Sequence, residues 1–530
     1  LTELRHHPGS LNWTLLPIVF IGGMTTMAVE MGASRLLAPY FGDSILVWAN
    51  LIGLILIYLS LGSFLGGRWA DRSPRPETLY TLTALAAFWV GMVPLIASPI
   101  LRMAQNAFSH VGIELATFDA IQIGGSFLSM LALFAPPVIL LGCVSPFAIR
   151  LSTKQIRSSG SNAGRIYALS TIGSILGTFL PVLVFIPAIG TAKTFFLFAV
   201  VLFAISILGL VIQRKARRVA ASTFLLLALL ALSAAFPQRI VKADARMIYE
   251  QESRYNYIQV LQVGQARYLM LNEGQGVHSI YDPQSLSTFG TWDMFIVAPF
   301  FNPPPYSPSE VRRVCVIGLA GGTVARQATA VYGPIPIDGV EIDPAIVEVG
   351  RAYFDMNEPN LNVAVTDGRF FLAHTQERYD LIVIDAYRLP YIPFQLATTE
   401  FFALVQEHLT PNGVVTINVG RTDTDYRMVE AIGTGLARHF PSVHAIDLPD
   451  TFNTVLVASQ QPTQAVNLEG NLAGIEHPFL RDAITRAIAN LAETQARHTL
   501  LGQGPVFTDD RAPVEHLTNA IMVRYLLTGE

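Results

Sequence analysis

Charge is what this chain has least of. Only 14% of its 530 residues are Asp, Glu, Lys or Arg, against about 25% in an ordinary soluble protein. The whole length is therefore not a water-soluble globule. A surplus of positive charge is also missing: the net charge is −4 at pH 7, which leaves no electrostatic footprint for nucleic acid as a partner. Cysteine is nearly absent. Cys143 sits in an apolar run and Cys315 in an expected strand, so no disulfide joins them and the count says little about compartment. His278, His374 and His439 lack metal-ligand spacing, and no metal is expected. The stretch CVIGLAGGTVARQ, Cys315 to Gln327, lacks the lysine of a Walker loop. It also misses the dinucleotide pattern, because Ala320 and Thr323 stand where the second and third glycines belong.

What is present divides the chain in two. Apolar residues make up 51%, and they crowd into the stretch from 13 to 237. A membrane span needs about 20 apolar residues, and seven candidates fit: 13–37, 45–66, 79–101, 121–149, 166–189, 194–212 and 219–236. The first is too long, and too closely followed by others, for a cleaved signal peptide. Residues 1–238 thus form an expected helical membrane domain whose partner is the lipid bilayer of the cell membrane, inner or plasma. Its basic loops follow spans two (Arg68, Arg72, Arg75), four (Arg150, Lys154, Arg157, Arg165) and six (Arg214, Lys215, Arg217, Arg218). Positive charge marks the cytoplasmic side, so seven spans place the remainder outside the cytoplasm. If the seventh run does not span, the remainder is cytoplasmic instead. Glu30 lies inside the first run with Arg35 five residues on; this is either a polar pathway or a structural pair. The loop GRWADRSPR, Gly67 to Arg75, resembles a loop of major facilitator transporters, and a plain basic anchor explains it equally well.

Residues 239–305 hold an alternating stretch, Ser253 to Tyr281, that predicts a β-hairpin or small sheet turning at Val263-Gly264-Gln265-Ala266. A proline-rich linker, Phe301 to Ser309, follows. From 306 to 530 strand and helix patterns alternate, which argues for a parallel α/β sheet. Strands are expected at Val314–Ile317, Ile337–Ile342, Val363–Val365, Leu381–Ile384 and Val414–Val419. Ligands of such sheets bind beyond the carboxyl ends of the strands. There the sequence puts the glycine turn (Gly318, Gly321, Gly322), Glu341, Asp367 and Asp385. Glycine lets backbone approach a bulky ligand and exposes helix N-terminal amides. Glu341 is spaced to hold ribose hydroxyls, Asp367 to accept from an adenine amino group, and Asp385 to face a reacting group. A solvated residue at a strand end is the plain alternative for any one of these acids.

The motifs VIGLAGGTVARQ, GVEIDPAIV, TDGRFFL, YDLIVIDAY and LATTEFF resemble the spermidine synthase family of aminopropyltransferases. With EMGASRLLAPYFGDSILVW in and after the first span and TDDRAPVEHL near the end, the chain resembles the branch described as fused transporter/spermidine synthase proteins. The resemblance implies a multi-span helical domain followed by a Rossmann-like class I transferase domain. Its cosubstrate would be S-adenosylmethionine or the decarboxylated form, its acceptor a small-molecule or peptide amine, and its assembly a homodimer. It implies Glu341 at ribose, Asp367 and Gly368 at adenine, Gln275 near the sulfonium, and Asp385 as the base or amine-positioning acid. Acceptor-site candidates are Trp292, Asp293, Tyr387, Gln395, Glu400, Asp509 and Glu515.

Two departures shape the expected reaction. The family turn carries an aspartate where Gly321 aligns, and that acid repels the carboxylate of intact S-adenosylmethionine. A second family acid is replaced by Arg388, which disfavours a cationic polyamine. These losses make methyl transfer from intact S-adenosylmethionine to an amine the leading expectation. The alternatives are aminopropyl transfer and, from another class, a membrane carrier of the nucleoside or a polyamine with a soluble binding module.

Overall fold

A computed structural model describes residues 13–41, 45–111, 118–153, 159–235, 246–272, 276–387, 391–449, 451–494 and 501–528. The chain divides into two compact units, Leu1–Ala243 and Asp244–Glu530.

The first unit is built from apolar helices: α1 (Leu16–Phe41), α2 (Ile45–Arg72), α3 (Pro76–Val111), α4 (Phe118–Gly142), α5 (Val144–Ser152), α6 (Ser159–Leu180), α7 (Ile186–Ile189), α8 (Thr191–Ile212) and α9 (Ala216–Ala235). Among the described residues, seven helical stretches are long and apolar enough to cross a membrane, from Leu16–Ala38 to Ala216–Ala235. α4 and α5 belong to one such stretch, and a π-helical turn at Pro181–Phe185 joins α6 to α7 within another. The tightest pairing is α1 on α6. A Cβ on Gly177 would lie 2.0 Å from the Met24 carbonyl oxygen, so only glycine admits this approach, as is usual where helices pack without a hydrophobic driving force. Arg150 pairs with Asp71 at 2.9 Å and Lys215 with Glu77 at 3.2 Å. These contacts bring the ends of spans two, four and six to one end of the bundle. Glu30 lies partly buried near the middle of α1, and Arg35 lies further along the same helix.

The second unit opens with an antiparallel sheet of β1 (Met247–Glu252), β2 (Tyr257–Val263), β3 (Ala266–Leu271) and β4 (Val277–Tyr281). The expected hairpin is its centre: Val263 pairs with Ala266 across Gly264, whose φ of +62° suits a tight turn. The small-sheet reading is the one observed, with β4 inside the expected stretch and β1 before it. A helix, α10 (Thr291–Val297), then leads into the larger sheet.

That sheet alternates strand and helix: β5 (Val314–Ile317), α11 (Thr323–Tyr332), β6 (Ile337–Glu341), α12 (Pro344–Tyr353), β7 (Leu361–Val365), α13 (Gly368–His374), β8 (Tyr379–Ile384), α14 (Thr399–Glu407), β9 (Leu409–Gly420) and α15 (Arg427–Ala437). It ends with β10 (Ser442–Asp447), β11 (Asn453–Ser459), α16 (Asn467–Leu472), α17 (Pro478–Thr494) and α18 (Val514–Thr528). The strand order is β10-β11-β9-β8-β5-β6-β7. The five expected strands run parallel, while β11 is antiparallel to both β9 and β10. Every residue of β5 is buried, as a strand covered by helices on both faces must be. The chain leaves β5 toward β6 and β7, then returns to β8 on the other side. The switch point therefore falls between β5 and β8, where ligands of open parallel sheets bind.

The small sheet packs on this point. Ile258, Val260, Leu269 and Leu271 join Ala320, Ile346, Val349 and Phe354 in one apolar cluster. This closes the glycine turn from behind.

Candidate functional site

Backbone shape comes first at the switch point. Gly318 has φ +88°, Ala320 +49° and Gly322 +85°, left-handed values that permit a sharp turn between β5 and α11. A Cβ on Gly318 would sit 2.6 Å from the backbone carbonyl of Asp385. The ends of β5 and β8 thus touch, and Asp385 is held against the turn.

The amides of that turn are already used. Gly318 and Leu319 donate to the Val340 carbonyl, and Gly322 to Leu319. Ala320 donates to Glu341 Oε2 at 3.0 Å, and Gly321 to Ser279 Oγ at 2.8 Å. Positions 318–322 thus spend their N–H groups within the fold, and the N-terminal amides of α11 begin after them at Thr323. The turn itself supplies shape.

Gly321 also changes meaning. A Cβ there would lie 2.9 Å from Ser279 Cβ and 3.0 Å from Phe354 Cγ. No acidic side chain fits at 321 while those residues stay in place. Ser279 and Phe354 occupy the space a side chain at 321 would take, so the turn presents no acid there.

The three acids stand at neighbouring strand ends. Glu341 closes β6, with Oε2 on Ala320 N–H and Oε1 on Asp343 N–H at 3.1 Å. Burial pushes its carboxyl up to about 7, against these two hydrogen bonds. Asp367 follows β7 and caps α13, accepting from Phe370 N–H at 2.9 Å. Gly368 sits where a Cβ would reach 2.3 Å from Ile317 Cγ2, so α13 begins against β5. Asp385 follows β8. Its Oδ2 accepts from the Trp292 indole at 2.9 Å and its Oδ1 from Asn418 Nδ2 at 3.1 Å. Burial drives this carboxyl up to about 7, and the two donors pull it back only in part.

Sequence reasoning missed Asn418. It is buried on β9, and its Oδ1 has no partner. An unsatisfied buried acceptor beside a carboxylate suits an incoming N–H. The signal was present in the sequence as a polar residue inside the apolar run VVTINV. Tyr387 donates to the Asn418 carbonyl at 3.0 Å, and burial holds its phenol far above the ordinary value.

The other acceptor-site candidates divide. Trp292 and Tyr387 are joined to Asp385 and Asn418 by the bonds above. Glu400 accepts from Asp509 N–H at 3.0 Å, and Arg369 of α13 bonds the Gln395 carbonyl and both Asp509 oxygens. These three form a group beside the start of α13. Asp509 also accepts from Thr398 Oγ1 at 2.8 Å, and its carboxyl is held below the usual range by the Arg369 bond. Glu515 lies in the first turn of α18. Asp293 faces away from the cleft: it is fully buried, with its carboxylate bonded to the loop before α10 and to Arg486. Gln275 and Arg388 lie outside the described residues. Among the described residues no group of His, Cys, Asp or Glu is arranged to hold a metal.

A glycine turn, an acid at each neighbouring strand end and a buried carboxylate at the switch point make up the carboxyl-end cleft of a Rossmann-like α/β domain. Residues 300–449 match the spermine/spermidine synthase domain model. The chain is 32% identical over 293 residues to a probable polyamine aminopropyl transferase of Bifidobacterium longum, covering 52% of this chain and 63% of that one. It is 29% identical over 192 residues to a polyamine aminopropyltransferase of Vibrio vulnificus, covering 34% of this chain and 62% of that one. The chain thus spans less than two thirds of the length of these relatives. Among solved structures, a probable spermidine synthase from Corynebacterium glutamicum superposes with a TM-score of 0.37 at 19% identity, over 46% of this chain and 95% of that one. Spermidine synthase from Thermotoga maritima gives 0.35 at 17% identity, over 45% and 88%. Residues 300–449 are thus similar to a spermine/spermidine synthase domain, and a unit of long apolar helices precedes the α/β unit.

Proposed function

We propose that the α/β unit transfers an alkyl group from an adenosyl sulfonium to an amine, and that the group is aminopropyl. The observation that carries this is Asp385. It sits at the switch point against Gly318, bonded to Trp292 and Asn418, with a carboxyl near neutral. A base poised near the working pH is what proton removal from an attacking ammonium needs.

The roles follow from position. Glu341 has both oxygens engaged with backbone yet keeps lone pairs for ribose hydroxyls. Asp367 keeps one oxygen for an adenine amino group. The turn at 318–322 shapes the floor. The amine approaches between Asp385 and Asn418 Oδ1, loses its proton to Asp385, and attacks the carbon bonded to sulfur. The C–S bond breaks, and the thioether leaves neutral. Alignment of nucleophile and sulfonium supplies much of the rate.

The resemblance to chains named aminopropyltransferases favours aminopropyl over methyl transfer. Calorimetry on the full chain with S-adenosylmethionine and with its decarboxylated form decides between them. Tighter binding of the decarboxylated donor, with turnover on a diamine, supports the proposal. Preference for intact S-adenosylmethionine, with methylated product, overturns it.

A further inference from the structure

Behind the cleft lies a buried carboxylate that the proposed reaction does not use. Asp293 is fully buried in α10. It accepts from Ser287 Oγ at 2.7 Å, Thr288 N–H at 3.0 Å, Thr288 Oγ1 at 2.7 Å, Phe289 N–H at 3.1 Å, Gln327 Nε2 at 2.8 Å and Arg486 Nη2 at 2.8 Å. One side chain thereby ties the loop 287–289, α11 and α17 to α10. A lone carboxylate at such depth would be strongly disfavoured, and a paired, fully bonded one is a rigid joint. The adjacent residue in sequence is Trp292, whose indole N–H bonds Asp385.

The loop is held in an unusual state. Phe289 has φ +55° and is 72% exposed, with the Arg486 guanidinium 5.0 Å from its ring centroid. A bulky residue in the left-handed region persists only where its surroundings hold it. The surroundings here are the Asp293 carboxylate, which takes the Phe289 N–H, and the arginine that bonds Asp293 and covers the ring.

We propose that Asp293 and Arg486 are positioning residues: they lock the start of α10 so that the Trp292 indole stays on Asp385. The pair acts through Trp292 and does not touch substrate. This rests on Asp385 being the reacting carboxylate, but the first readout does not. Among the described residues, Tyr387 is in electrostatic contact with Asp385, and burial keeps its phenol protonated through neutral pH.

The test uses Trp292 as its own reporter. The other tryptophans, Trp13, Trp48, Trp69 and Trp89, all lie in the helical unit. Fluorescence of the full chain in detergent, minus that of W292F, is followed from pH 5 to 9. The wild type shows a titration near neutral that D385N abolishes. In D293N and R486Q the titration shrinks or moves to higher pH, because the indole no longer favours the ionised carboxyl. Turnover, measured alongside, drops about tenfold or more in kcat with little change in donor KM, and R486K recovers part of it. If D293N does not fold, R486Q and S287A carry the test. A wild-type midpoint and amplitude in folded R486Q and S287A overturn the proposal, even if their melting temperatures fall. Absence of turnover with every donor would count against the proposed reaction and leave the fluorescence result to be judged alone.

Discussion

Asp385 and Glu341 carry carboxyls near neutral because they are buried, and this has two opposite consequences. In the proposed reaction, Asp385 must be ionised to accept a proton. Activity should therefore rise from pH 6 to 8, with the acid limb of kcat/KM centred near 7, and D385N should lose about a hundredfold or more while still binding donor by calorimetry. For stability the sign reverses. Unfolded carboxyls ionise near 4, whereas the folded groups hold their protons to about 7. The folded chain binds more protons in that window, so these two groups cost stability as pH rises through it. D385N and E341Q should each gain melting temperature over wild type at pH 8 and lose that advantage at pH 5. A lower melting temperature for both at pH 8 would show that their charges are better satisfied than burial implies. The sequence spacing was enough to put these acids at strand ends. It could not show which way Asp293 points, because that depends on Arg486, distant in sequence. Nor could it show that Ser279 and Phe354 fill the space beside Gly321.

At the scale of elements, the turn between β5 and α11 is fixed by backbone rather than by side chains. G318A would put a methyl 2.6 Å from the Asp385 carbonyl in a left-handed conformation. A cost of about 1–3 kcal/mol is expected, with Asp385 displaced. Thermal melting together with turnover checks it: stability should fall modestly and activity severely. A second element is the segment before α18. Asp509 clasps Arg369 on α13, and Phe507 accepts from Thr399 N–H on α14. R369A should raise hydrogen exchange at residues 505–513 without loosening β5 or β8. The parallel strands were legible because a strand buried on both faces is a short apolar run bounded by turn residues. β10 was not, since Ser442, His444 and Asp447 interrupt it and its place is set by pairing with β11. β1 was hidden for the same reason: MIYEQE has no face that is wholly apolar, and only β2 gives it a register.

For the whole molecule, the helical unit settles geometry that the charge pattern alone only suggests. Arg150 on Asp71 and Lys215 on Glu77 gather the basic segments at one end, and Tyr80 Oη donates to the Thr14 carbonyl there at 2.8 Å. The start of α1 is therefore at the basic end. Lys and Arg bias that end to the cytoplasm. If each of the seven apolar stretches crosses, α9 leaves the chain on the opposite side. A reporter fused after Glu530 reads this directly: alkaline phosphatase should be active and green fluorescent protein dark, while the same reporters inserted after Arg75 should give the reverse. The reverse result at Glu530 would mean that α9 lies along the surface without crossing, and its window is only 11% buried within the bundle. The two outcomes demand different chemistry of supply. A cytoplasmic α/β unit draws its donor from where adenosyl sulfoniums are made. An external one works only if such a nucleoside is delivered across the bilayer, and vesicles of known orientation, given donor on one face at a time, would then show turnover from the outer face alone.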